Sequence, residues 1–220
     1  MEGGEWLILA NGPWPASIDL ASLHQQAAFT LACDGALGRC MEMALFPDAV
    51  IGDGDSVMAS HLERYRAGGG RVHLEASQEE NDLAKALNMA VRNDAQRCIV
   101  LGATGGDRHH ELANLLACAS SALDIRCMDD NDEMRFLLPS IDYSIEVAME
   151  TEFSLFAFPF AKNITLRGGA FPLTNGVLNM GSQGLHNRAT QPSIDITYDK
   201  GRLMVMLPLA LGEGAGRNGA

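Results

Sequence analysis

The apolar pattern of this chain changes period near residue 134, and that change limits what the chain can fold into. Before it, short apolar runs alternate with helical stripes. WLILA (6–10) is followed by Leu20, Leu23 and Ala27, and FTLAC (29–33) by Leu37, Met41 and Ala44. AVIG (49–52) precedes a helix-like stretch from Ser56 to Arg66, and RVHL (71–74) precedes Leu83, Leu87, Ala90 and Val91. CIVLG (98–102) then leads into Leu112, Leu115, Leu116, Ala119 and Leu123. Strand followed by helix, repeated about five times, predicts a mainly parallel sheet covered on both faces, an α/β/α sandwich. Ligands of such sheets bind in the crevice beyond the carboxyl ends of the strands.

After residue 134 the helical stripe is gone. MRFLL, YSIEVAM, FSLFAF, NITLRG, SIDITY and RLMVML are short, and alternate or are apolar throughout. Pro139, Pro159, Gly168-Gly169, Pro172, Asn175-Gly176 and Pro192 punctuate them. This predicts a small all-β sandwich. The expected organisation is an α/β domain over residues 1–130, an acidic linker DDNDE (129–133), a β-sandwich over 134–211 and a disordered tail over 212–220. A chain of 220 residues is long enough for two cores.

The charge is divided as sharply as the pattern. Against 16 basic side chains stand 28 acidic ones, a net of −12. Residues 1–133 hold 21 acidic and 9 basic groups, and the remainder is neutral with seven of each. Such a balance argues against a protein that grips nucleic acid or anionic membrane through bulk electrostatics. No apolar stretch reaches the ~20 residues of a membrane span, and the start lacks a basic signal-peptide head. The five cysteines lack CxxC spacing, which predicts a reduced, cytoplasmic chain without a zinc cluster.

The polar residues of the first half collect at strand ends. Asp34-Gly35 follows the second apolar run. Pro47-Asp48 precedes the third, and Gly52-Asp53-Gly54-Asp55-Ser56 follows it. Glu79, Glu80, Asn81 and Asp82 follow the fourth and open a helix, and Gly102 to His110 follow the fifth. Two aspartates one glycine apart can turn both carboxylates to a hard cation such as Mg²⁺, which takes one or two protein carboxylates beside water and phosphate. Alone, Asp53 and Asp55 serve equally as turn residues before a helix capped by Ser56. Several acidic strand ends together favour the cation, because clustered carboxylates repel one another until something neutralises them. GATGG (102–106) reads as a loop whose backbone can approach phosphate, although by itself it is also a plain strand–helix turn. It has neither the GK[ST] of a Walker loop nor the spacing of a dinucleotide fingerprint. His24, His61 and His73 read as packing or surface residues, and the eleven methionines as core filler. Lys85 reads as the partner of Asp82 in a surface helix pair.

Asp34-Gly-Ala, Pro47-Asp48…Gly52-Asp53-Gly-Asp55-Ser56, Gln78-Glu79-Glu-Asn81-Asp82-Leu-Ala-Lys85-Ala-Leu and Gly102-Ala-Thr-Gly105-Gly106…His110…Leu112-Ala-Asn114 occur in this order. Together they resemble the thiamine pyrophosphokinase family over roughly residues 6–125, and more faintly through Gly169…Asn175 and Gly184…Asn187. The resemblance implies an α/β catalytic domain, a C-terminal thiamine-binding β-sandwich, and a homodimer with active sites at the subunit interface. The implied reaction moves a pyrophosphoryl group from ATP to the hydroxyl of thiamine, releasing AMP, with Mg²⁺ as cofactor. It implies catalytic roles for Asp34, Asp53, Asp55 and Asp82, the last three on the metal. It places Asp34, Gly35, Gly102, Thr104, Gly105, Gly106, Arg108 and Asn114 about the nucleotide, and Asp48, Glu79, Asn81, His186 and Asn187 about thiamine. Two places depart from the pattern. The family reads GGRxDH where this chain has Asp107 and His109, and a Ser-Asn pair where it has His186-Asn187. Arg108 is expected to take over the phosphate contact of the missing arginine through a loop shift that Gly105 and Gly106 permit. The alternatives are a related diphosphokinase for another small alcohol, such as a pterin, or a relative that binds nucleotide or thiamine without turnover.

Overall fold

A computed structural model describes residues 4–209 apart from 76 and 78, so the tail expected at 212–220 lies outside the described residues. The chain divides into two compact units, one running to Leu123 with Cys127–Asp130, the other comprising Asp124–Arg126 and Asn131–Leu209.

In the first unit, β1 (Glu5–Leu9), β2 (Phe29–Cys33), β3 (Ala49–Gly52), β4 (Arg71–Leu74) and β5 (Arg97–Leu101) alternate with helices. Those helices are α1 (Leu20–Gln26), α2 (Leu37–Glu42) after a 3₁₀ turn at Asp34–Ala36, α3 (Ala59–Ala67), α4 (Asp82–Arg92) and α5 (Arg108–Ser120). The strand order is β4-β3-β2-β1-β5. Every pairing is parallel: Leu9 lies opposite both Ala32 and Leu101, Ala32 opposite Val50, and Gly52 opposite Leu74. The central strands read as continuous apolar runs because both faces are covered, and Leu7, Ile8, Leu9, Leu31, Ile51 and Leu101 are all buried. A further strand, β6 (Asp124–Met128), escaped the sequence reading. Its buried Ile125 and Cys127 alternate with the half-buried Asp124 and Arg126, so it carries no apolar run.

The second unit is wholly antiparallel. Its strands are β7 (Asp132–Leu137), β8 (Tyr143–Glu146), β9 (Glu152–Arg167), β10 (Leu173–Asn179), β11 (Gly184–Arg188), β12 (Ser193–Thr197) and β13 (Lys200–Pro208). They run in the order β7-β13-β9-β12-β8, with β10 and β11 also on β9. The two expected runs FSLFAF and NITLRG are one strand, the 16-residue β9, on which Phe153, Leu155, Ile164 and Leu166 pack against Ile194, Ile196, Tyr198, Leu203 and Val205. The strands β10 and β11 were not expected. Asn175-Gly176, which reads as a turn, lies inside β10, where Asn175 takes φ 51° and the register with β9 slips; a bulge absorbs the turn signal. The expected linker also loses its end to β7, because Glu133 is buried between Arg126 and Arg135. Burial pushes the Glu133 carboxyl up, but the guanidiniums of Arg135 and Arg126 outweigh it and hold the group below the ordinary carboxylate range.

Ile8 sits at the centre of the parallel sheet with no exposed surface. Truncation to alanine should destabilise the first unit by about 2–5 kcal/mol, seen as a lowered urea midpoint.

Candidate active site

The parallel register places the residues after β1, β2, β3, β4 and β5 on one edge. The loop after β1 was not among the expected contributors, yet it forms one wall. Ala10 N–H donates to Leu101 O at 2.8 Å, and Gly12 N–H donates to Gly102 O at 3.0 Å. A Cβ on Gly12 would stand 2.4 Å from Gly102 O, and one on Gly102, whose φ is +77°, would stand 2.6 Å from Ala10 O. Only glycines let the two backbones run this close. Arg39 fixes the loop by donating to Gly12 O and stacking 4.8 Å over the Trp14 ring. The signal that could have marked it is Asn11-Gly12-Pro13, a turn tripeptide directly after an apolar run.

A cavity of about 580 Å³ opens at this edge. It gathers Asp53, Glu79, Asn81, Asp82, Gly102, Thr104, Gly106 and Asn114 from the expected set, with Lys85 and Asp107 beside them. Lys85 corrects its sequence reading. It lies about 200° around the helix from the core-facing Leu83, where periodicity predicts solvent, yet it is 2% exposed. Its Nζ bonds Asp82 Oδ1 at 3.2 Å.

Asp34 is buried and does not itself line the cavity. One oxygen accepts Gly54 N–H at 2.8 Å, while Oδ1 is buried and has no hydrogen-bond partner. A Cβ on Gly52 would come within 2.4 Å of its Cγ, so glycine there makes room for the carboxyl. Burial first, then the charges of Asp82 and Asp53, raise the Asp34 pKa above its ordinary value against the Gly54 and Gly35 N–H groups. The neighbouring Cys33 thiol is pushed well up by burial and then by Asp82 and Asp34. The local field is therefore negative. Among the described residues, no three His, Cys, Asp or Glu side chains are placed to hold a metal ion by themselves.

Other expected residues lie elsewhere or are otherwise engaged. Asp55 is exposed and outside the cavity lining, and its N–H closes a turn onto Asp53 Oδ1 at 3.0 Å. Gly35 packs against Asn11 and does not line the cavity. Asp48 precedes β3, at the opposite edge of the sheet, where its carboxylate accepts Thr30 N–H at 2.7 Å. Arg108 is exposed and outside the lining. The reason is Asp107, which caps α5 by accepting His109 N–H at 3.0 Å and His110 N–H at 3.2 Å. The cap fixes the helix start, so no loop shift brings Arg108 inward. The His110 and His109 N–H groups and imidazoles hold the Asp107 carboxyl below its ordinary value. Gly105 N–H is directed to Glu111 Oε2 at 3.2 Å, and Thr104 Oγ1 donates to Asp129 at 2.9 Å. Within the second unit, Asn187 is 6% exposed; its Oδ1 accepts Phe171 N–H and Arg188 N–H, and its Nδ2 donates to Phe171 O. It pins a turn, with its oxygen and one of its N–H groups engaged. His186 is exposed, 3.8 Å from Glu152.

Fold and cavity define a class: a parallel α/β unit with an acidic, glycine-walled cavity beyond its strand ends, followed by an antiparallel β unit. Residues 20–128 match the family model described as thiamin pyrophosphokinase, catalytic domain. Through that segment the chain belongs to the thiamin pyrophosphokinase family. It is 25% identical to the thiamine pyrophosphokinase of Bacillus subtilis (strain 168), over 90% of this chain and 96% of that protein. The solved structure of thiamine pyrophosphokinase from Bacillus subtilis superposes with a TM-score of 0.76 at 22% identity, covering 94% of this chain and all of that one. That of thiamin pyrophosphokinase from Candida albicans gives 0.74 at 16% identity, covering 94% and 90%. At these identities the structures establish a shared fold.

A raised Asp34 pKa has a defined sign in stability. The unfolded chain loses this proton near pH ~3.9 and the folded chain at a higher pH, so stability falls between the two and stays lowered above the folded value. An asparagine side chain at this position would retain an acceptor for Gly54 N–H without the charge. In metal-free buffer at pH 7, Asp34→Asn should melt at a higher temperature than wild type, with the gap closing as pH approaches the ordinary Asp value. An equal or lower melting temperature at pH 7 contradicts the assignment.

Proposed function

We propose that the chain is an ATP-dependent thiamine diphosphokinase, moving a pyrophosphoryl group from ATP to thiamine and releasing AMP. The observation that carries this reading is one cavity lined by Asp53, Asp82 and the buried Lys85 beside a glycine-walled backbone, with Asp34, whose Oδ1 is unsatisfied, buried at the same strand-end edge. In the reaction, the hydroxyethyl oxygen of thiamine bonds to the β-phosphorus, the bond from that phosphorus to the α–β bridging oxygen breaks, and AMP leaves with the oxygen. Transfer of this kind needs the attacking and leaving oxygens in line and the phosphate charge neutralised.

The residues fit Mg²⁺. Its shell takes one or two carboxylates and is completed by water and phosphate oxygens, so a site without three converging side chains suits it. Asp34 Oδ1 is buried and lacks a donor, and Asp53 and Asp82 are the carboxylates whose charges reach it. Asp53 and Asp82, which line the cavity, would hold the ion, which supplies neutralisation of the phosphate charge when bound. Lys85 supplies the protein's own positive charge, held in place by Asp82. Glu79 and Glu80 give the cavity an acidic side suited to the thiazolium cation of the acceptor.

The reading extends to a homodimer built through the second unit. Phe171, Val177, Met180 and Leu185 are 46–70% exposed and lie between residues 171 and 185, in and around β10 and β11, and large apolar side chains left exposed can mark contact surfaces. Cytoplasmic location is also part of the proposal. All five cysteines are buried and free, and no helix among the described residues is long and apolar enough to cross a membrane.

The decisive assay is Mg²⁺-dependent AMP release from ATP with and without thiamine. Release requiring thiamine upholds the reading. Release with a pterin or other alcohol instead changes the acceptor, and none at all points to a binding relative. Lys85→Met should lower kcat/KM by about 10–100-fold, the equivalent of a charge-assisted bond worth ~1.5–3 kcal/mol, and Asp53→Ala by ~10-fold or more. For the assembly, Phe171→Glu combined with Met180→Glu should shift the sedimentation coefficient from dimer to monomer; a wild-type monomer with full activity removes the dimer from the reading.

A further inference from the structure

Two asparagine side chains tie one side of the cavity to the other. Asn114, in the second turn of α5, donates from Nδ2 to Ala103 O at 2.8 Å. Its Oδ1 accepts from Asn81 Nδ2 at 2.9 Å. Asn81 Oδ1 in turn accepts Ala84 N–H at 2.9 Å, which caps α4. The polarity of this chain of bonds is fixed at both ends, because a carbonyl oxygen can only accept and a backbone N–H can only donate. Each amide therefore has one orientation, with its oxygen and one of its N–H groups engaged in the bridge.

The bridge joins the two parts of the cavity that the reaction needs in register. Asp82 and Lys85 stand in the first turns of α4, directly after Asn81, and Ala103 lies in the Gly102–Gly106 loop. We propose that the Asn81–Asn114 amide pair sets the register between these two parts, and that both asparagines are positioning residues rather than ligands of thiamine or nucleotide. The inference rests on the diphosphokinase reading. In-line transfer requires reacting atoms ~3–3.5 Å apart, and a misplacement of ~1 Å can cost ~100-fold in rate. Each side can still bind its own portion of the substrates after such a shift. The loss should therefore fall on kcat more than on KM.

Asn81 also caps α4, so the test must separate capping from bridging. Serine caps as well as asparagine, but its hydroxyl is too short to reach Asn114. For Asn81→Ser we expect an unchanged melting temperature, KM for ATP and thiamine within about twofold of wild type, and kcat lowered about tenfold or more. Asn114→Ala should show the same split, and the double variant should be no worse than the weaker single one, since both break one bridge. Hydrogen exchange gives a readout independent of turnover. In either variant, amides of the first turn of α4 and of the 102–106 loop should both exchange faster. Wild-type kcat in Asn81→Ser, or additive losses carried by KM, overturns the proposal; the latter identifies direct ligand contacts. If the wild-type chain releases no AMP, the functional reading fails, and exchange still decides the bridge: faster exchange on both sides upholds it, and on one side alone overturns it.

Discussion

The parallel pairing of β1 with β2 and β5 is the constraint on which the cavity depends. Leu9 stands opposite both Ala32 and Leu101, so Asn11-Gly12, Asp34 and Gly102 emerge at the same level. From that level the backbones can meet, and Gly12 N–H reaches Gly102 O. A one-residue slip of β5 against β1 would reverse which of its side chains face the helices and carry Gly102 O away from Gly12 N–H. The apolar runs that fix the register are also the most buried residues of the unit. Stability and site geometry are thus held by the same interactions.

Within this frame the acids do different physical work. Asp34 is forced into the interior with one oxygen unsatisfied, a cost that a bound cation or a proton removes. Asp53 shapes its own loop by accepting Asp55 N–H, and Asp82 neutralises a buried lysine. Asp107 ends in a helix cap. Of these four, Asp34 is the one with a buried oxygen left unsatisfied. A residue of this kind lowers the stability of the empty protein, which is the usual cost of a preformed ligand site.

This division explains what the sequence disclosed and what it concealed. The five parallel strands, the edge at which function gathers and the acidic residues there were legible, because each depends on local apolar runs and on the residues directly after them. Lys85 was not, since helical periodicity places it on the solvent side of α4 and its burial comes from tertiary neighbours. Asn187 and Asp48 look like ligands by residue type, but their side chains are engaged by Phe171 and Thr30, partners 16 and 18 residues away in sequence. The β10 strand was hidden by Asn175-Gly176, which the fold accommodates as a bulge. Period and turn chemistry are local; the occupancy of a polar side chain is not.

Occupied polar groups also decide where the positive charge of the cavity sits. A glycine-rich loop opening a helix is ordinarily an anion site, because its free N–H groups and the helix dipole both attract phosphate. Here three of those donors are already taken. Asp107 accepts the first N–H groups of α5, and Glu111 accepts that of Gly105. Two carboxylates at a helix N-terminus also offset its partial positive charge. Among the described residues lining the cavity, Lys85 is then the only Lys or Arg. Where the family pattern carries an arginine, this chain has the capping Asp107, so the positive charge at the cavity wall is a buried lysine on α4. That shift raises the importance of where α4 sits relative to the 102–106 loop, which is the relation the two asparagines hold.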